Sequence, residues 1–145
     1  MVRQREKRVR RSRDAPAEAR HFVAESLSRV LGPSSAARLA VADAELVVSE
    51  LVTNAITARC TQAVVRLILD DDRLEVWVWD DGNGTPAPRT AEVYDTSGRG
   101  LIIVSALAQQ WAVEQQADGT KWVWARLPLP RAIVPAGDFP DPVPS

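Results

Sequence analysis

The stretch Ala44–Arg59, AELVVSELVTNAITAR, limits what this chain can fold into more than any other, because its apolar residues recur at helical spacing along its whole length. At about 100° per residue, Glu50 and Asn54 stand about 40° apart on the helical wheel. Asp43 and Thr57 lie beside them, while Val48, Leu51, Val52, Ala55 and Ile56 fill the opposite arc. The pattern predicts a buried helix with one narrow polar stripe. Taken alone, such a stripe is the solvated edge of an amphipathic helix. Two glycine-rich stretches further along the chain give it a second reading.

A helix buried on most of its circumference needs a core around it, and the composition provides one. With 145 residues, 46% hydrophobic and 26% charged, the chain fits one domain able to bury about two thirds of its unfolded surface. The net charge of -1 conceals an asymmetry: Met1–Asp14 carries seven Lys or Arg against two acids, and the remainder is acidic. A basic terminus of this kind is expected to be a flexible, solvated segment over residues 1–13. Nucleic-acid binding would rest on that segment alone and is not expected. Cys60 has no partner for a disulfide, and no Cys/His cluster is spaced for zinc, which points to a reducing, cytoplasmic setting. No apolar run is long enough to cross a bilayer. Six of the ten prolines fall in the last eighteen residues, so residues 131–145 are expected to form a flexible tail.

In chain order, Lys7–Arg11 is a candidate edge strand. Ala15–Leu31 places Ala19, Phe22, Val23, Ser26, Leu27 and Val30 on one helical face, with Asp14 as its cap. His21 lies in that helix, where a lone histidine beside Phe22 reads as structural rather than as a base or phosphoacceptor. Gly32 and Pro33 end the pattern, and Ser34 or Ser35 can cap the long helix that runs to about Ala58. The period then becomes strand-like. Val64–Leu69 and Leu74–Trp79 predict a hairpin in which Leu74, Val76 and Val78 share a face with Asp80, and Glu75, Trp77 and Trp79 take the other. Irregular chain runs from Gly82 to Ser97, then a helix over Leu101–Gln109 and a second hairpin of Trp111–Gln116 and Trp122–Leu127. The order helix, helix, hairpin, loop, helix, hairpin implies an α+β sandwich with helices on one sheet face.

Chemistry gathers at the two glycine-rich stretches. WDDGNGTP puts Asp80 at the end of a strand, where its carboxylate can accept from an exocyclic amine, with Gly82 and Gly84 letting backbone approach a flat ligand. SGRGL places Gly98 and Gly100 just before a helix, where free N–H groups and the helix dipole attract phosphate oxygens, and Arg99 adds a charged donor. Each stretch is also an ordinary turn or cap. Their order together with Glu50 and Asn54 is far more specific than any one of them.

At this point the chain resembles the histidine-kinase-like ATPases of Bergerat fold, most closely the anti-sigma-factor serine kinase branch. ELVVSELVTNA, DDGNG and GRGL match in order the N, G1 and G2 boxes of that family, over roughly residues 14–130. The resemblance implies a two-layer α/β sandwich, a mixed, mainly antiparallel sheet with three helices on one face, and ATP held between the layers. It implies that Asn54 holds magnesium (Mg2+) through its side-chain oxygen, that Glu50 is the catalytic base, and that Asp80 binds the adenine amino group. Gly82 and Gly84 would line the nucleotide, while Gly98, Arg99, Gly100 and Leu101 would face the phosphates. The partners implied are a sigma factor to be sequestered and an antagonist protein phosphorylated on serine.

The chain departs from the family in three places. Thr57, Ala58 and Arg59 stand where basic residues often come after the N box, and the lid between Thr85 and Ser97 is short. The family's Gly-Thr pair before the last strand resembles Gly119 and Thr120, with Thr120 as an adenine contact, but it falls one residue early counted from Leu127 and Pro128. Trp77 and Trp79 should lie on the sheet face that the helices leave open. That placement predicts either an interface, a homodimer included, or cover by the N-terminal segment, the tail or a bulge. Two other functions compete with the serine kinase: a non-catalytic module whose ATP only gates protein binding, and the catalytic domain of a sensor histidine kinase. His21 is poorly placed for the latter. A P-loop enzyme is excluded because no GxxxxGK[ST] occurs.

Overall fold

A computed structural model of the chain describes residues 1–82 and 96–140. Eight elements succeed one another: β1 (Arg3–Arg10), α1 (Ala15–Leu31), α2 (Ser35–Thr57), β2 (Gln62–Leu69), β3 (Arg73–Asp80), α3 (Thr96–Leu107), β4 (Gln110–Gln115) and β5 (Lys121–Pro128). The strands form one sheet in the order β1-β2-β3-β5-β4, and every pairing is antiparallel. The helices cover one face of it. This is the expected α+β sandwich, with no parallel pair among the described strands where the resemblance implied a mixed sheet.

α2 is the centre of the helical layer, packed against α1, α3 and β3. Ser34 starts it, its hydroxyl accepting from the Ala37 N–H at 3.1 Å. Ala44, Val47, Val48, Leu51, Val52 and Ala55 are buried along it. Each large side chain among them contributes about 1.5–3 kcal/mol by leaving water. Beneath the helices, alternation turns Ala63, Val65, Leu67 and Leu69 of β2 and Leu74, Val76, Val78 and Asp80 of β3 inward. Asp14 stands at the N-cap position of α1 but makes no side-chain capping bond. Gly32 ends that helix at φ 82°, a conformation that suits glycine. His21 is 84% exposed beside Glu25, so it is not packed in the core.

Two segments expected to be flexible are ordered parts of the sandwich. The basic N-terminal segment supplies β1, paired along its length with β2 from Arg3↔Leu69 to Arg10↔Gln62. Its inward positions are Arg3, Arg5 and Val9. Arg5 lies over the Phe22 ring at 4.9 Å and donates to the Ser26 hydroxyl at 2.7 Å, so its charge is buried against α1 rather than solvated. The proline-rich tail docks over residues 131–140. Ile133 and Leu129 are buried, the Ala136 N–H donates to the Val30 carbonyl at 3.0 Å, and Arg3 donates to the carbonyls of Pro135 and Gly137. Proline prevents regular structure there, but not packing.

The outer sheet face carries a block of tryptophans. Trp77 stacks on Trp124 with ring centroids 5.3 Å apart and meets Trp122 edge-on at 5.9 Å. Arg66 lies over Trp122 and also pairs with Glu6, while Arg126 pairs with Glu75 at 2.8 Å. Trp124 is thus buried, and Trp77 and Trp122 half-buried, among one another and the arginine stems.

Candidate functional site

On α2 the stripe forms as the periodicity predicts. The hydroxyls of Thr53 and Thr57 donate back to the Ser49 and Thr53 carbonyls at 2.7 and 2.9 Å, satisfied within the helix. Glu50 and Asn54 are half-buried, and among the described residues neither side chain has a hydrogen-bond or ion-pair partner.

The end of α2 is locked to the end of β3. Arg59 adopts φ 62° and donates its N–H to the Ile56 carbonyl, turning the chain sharply out of the helix. Arg59 is exposed. The corner Asp80-Asp81-Gly82 then meets this turn. A Cβ on Gly82 would overlap the Ala58 carbonyl oxygen, so glycine here permits contact between two stretches of backbone rather than approach to a ligand. Asp81 accepts from the Thr61 and Gln62 N–H groups at 2.8 and 3.4 Å and from the Thr61 hydroxyl. Burial alone would raise its carboxyl, but these hydrogen bonds outweigh burial and hold it below the usual aspartate range. Burial, with Asp80 and Asp81 nearby, pushes the Cys60 thiol up, which keeps it protonated and unreactive.

Asp80 is 1% exposed on the inward face of β3. Its Oδ1 accepts from the Gly82 N–H at 2.9 Å and from Lys121 Nζ at 3.0 Å. Lys121 is the cross-strand partner of Asp80 on β5 and is 2% exposed. Sequence reasoning missed this lysine. The signal was the alternation Lys121, Val123, Ala125, Leu127: a charge on an apolar stripe requires a buried counter-charge. Thr120, the residue expected at the adenine, instead donates its hydroxyl to Asp118 at 2.6 Å and its N–H to the same oxygen at 3.0 Å. The one-residue offset in the Gly-Thr pair therefore has a physical result, since lysine rather than threonine faces the carboxylate.

The glycine-rich stretch SGRGL lies inside a helix, not before one. α3 begins at Thr96, so Gly98 falls in its first turn, where N–H groups lack intrahelical acceptors, while Arg99, Gly100 and Leu101 come next along it. Leu101 is half-buried, and the helix packs on α2. Gly84 and most of the expected lid, up to residue 95, lie outside the described residues.

The structure thus joins the end of α2, two turns beyond Glu50 and one beyond Asn54, to the Gly82 corner at the end of β3, and packs α3 on α2. A five-stranded antiparallel sheet covered on one face by three helices defines the class, a two-layer α+β sandwich. The family profile of the histidine kinase-like ATPase domain matches residues 10–127, and the chain belongs to that family. A search of curated proteins finds none that matches it. The domain is an ATP-binding module. Among the described residues no helix is long and apolar enough to cross a membrane.

Proposed function

We propose that the chain is a magnesium-dependent protein serine kinase of the anti-sigma type, which transfers the γ-phosphate of ATP to a serine of an antagonist protein and sequesters a sigma factor. One placement carries the reading: a carboxylate and a carboxamide stand one turn apart on the open stripe of α2, whose end is fixed to the Asp80 corner.

The donor set fits the ligands. Asp80 offers an acceptor to the adenine amine, because only its Oδ1 is engaged by Lys121 and Gly82. Asn54 presents a neutral oxygen, which suits an ion that retains waters and phosphate oxygens as its other ligands. A bound magnesium would supply charge neutralisation on the phosphates. Glu50 accepts the proton of the serine hydroxyl as its oxygen bonds to the γ-phosphorus and the bond to ADP breaks. The first turn of α3, with Gly98 in it, stands on the phosphate side, with Arg99, Gly100 and Leu101 next in the chain. Thr120 would contact adenine only by giving up its bond to Asp118. A homodimer would form on the outer tryptophan face, and sedimentation showing a strict monomer removes that part of the reading.

The test is incubation with γ-labelled ATP and candidate antagonist proteins. Label on a partner serine, lost in Glu50→Ala while nucleotide affinity is retained, supports the kinase; the expected loss of turnover is about 10²–10⁴-fold. Label released only as free phosphate replaces the kinase with an ATPase. No label, with tight ATP binding, replaces it with a module whose nucleotide only gates protein binding.

A further inference from the structure

Asp80 is a carboxylate on a face otherwise made of Leu74, Val76 and Val78, at a depth where an uncompensated charge is costly. The compensation comes from one residue. Lys121 is fixed opposite by the β3–β5 register, and its ammonium lies 3.0 Å from Oδ1, with both side chains almost wholly buried. The Gly82 N–H donates to the same oxygen. All of this contact falls on Oδ1, and none of it on Oδ2.

We propose that Lys121 is the residue that sets the base preference of the nucleotide site, acting through Asp80 as a positioning residue. The inference rests on the proposed role of Asp80 at the adenine. A buried carboxyl without a cation holds its proton and can then donate as well as accept, so it meets a 6-oxopurine as well as a 6-aminopurine. Opposite the lysine ammonium and the Gly82 N–H, it is the acceptor in both contacts and presents oxygens that accept. Because Lys121 and Gly82 occupy Oδ1, Oδ2 is left to receive an exocyclic amine, and the oxygen of a 6-oxopurine would meet like charge there. A serine or threonine opposite Asp80 would provide a hydrogen bond without this fixed charge. The lysine thus makes the site selective for the amine.

The experiment measures the affinities of ADP and inosine diphosphate for the full chain by calorimetry, and their ratio is the readout, because damage to the fold weakens both ligands alike. The wild type is expected to prefer ADP by at least about tenfold, since a site built for an N–H leaves a buried acceptor unpaired with the analogue. Lys121→Arg retains the preference, and Lys121→Met reduces it to within about threefold. Should Lys121→Met fail to fold, the double variant Asp80→Asn with Lys121→Met removes both charges and is expected to bind the two nucleotides equally. A wild-type ratio retained in a folded Lys121→Met, or in the double variant, overturns the proposal. Equal binding of both nucleotides by the wild type overturns it too but leaves the nucleotide site intact, whereas no binding of either by the wild type overturns the ATP-dependent function and this inference together.

Discussion

Asp81 and Gly82 hold the corner where the end of β3 meets the end of α2, and each fails in its own way when changed. Asp81→Ala removes an acceptor used by two N–H groups and a hydroxyl, which should cost about 1–2 kcal/mol at neutral pH. The sign with pH is set by the carboxyl being held down in the folded state: its contribution is complete above the unfolded aspartate value of about 3.9 and is lost as pH falls through the folded value. Urea unfolding should therefore show the gap between wild type and variant at pH 7 closing in strong acid. Gly82→Ala drives a methyl group into the Ala58 carbonyl and should cost about 1–3 kcal/mol with a loss of nucleotide affinity. A variant with unchanged melting and binding would show that the corner does not depend on that contact.

At the scale of elements, α2 and β1 show what a single sequence reveals and what it hides. The helix was legible because its period of apolar residues runs unbroken and Ser34 supplies an oxygen at its start. Leu51, 2% exposed beneath it, should cost about 2–5 kcal/mol as Leu51→Ala in thermal or urea unfolding. β1 was hidden beyond its last residues because arginine occupies two of its inward positions, and a period of two written in charges resembles a solvated segment. Arg5 is buried there only because Phe22, Ser26 and Glu25 on α1 receive it, which is knowledge of tertiary partners. α3 was expected to start later, since Gly98 and Gly100 each disfavour helix by about 1 kcal/mol. Its apolar run and its packing on α2 outweigh that cost. Of the candidate site, the placement of Glu50 and Asn54 on one stripe of α2 and of Asp80 at the inward end of β3 was legible from spacing, while the pairing of Lys121 with Asp80 required the strand register.

Across the whole molecule, the first strand and the segment around residues 135–137 close on one another. Arg3 near the start donates to Pro135 and Gly137 near the end, and Ala136 bonds to the end of α1. Ending the chain after Pro130 should therefore lower the unfolding midpoint, by removing the buried Ile133 and the acceptors of an inward arginine. An unchanged midpoint would mark the tail as an independent appendage. On the opposite face, the sheet shields its tryptophans with its own arginines, so the proposed nucleotide side and the tryptophan side are separate surfaces of one domain. The central claim concerns the first of these, and calorimetric titration of magnesium-ATP into wild type, Asp80→Ala and Asn54→Ala tests it most directly. One site per chain is expected in the wild type, with binding abolished by loss of Asp80 and, in Asn54→Ala, weakened only when magnesium is present. Binding unaffected by either change, or absent from the wild type, would contradict it.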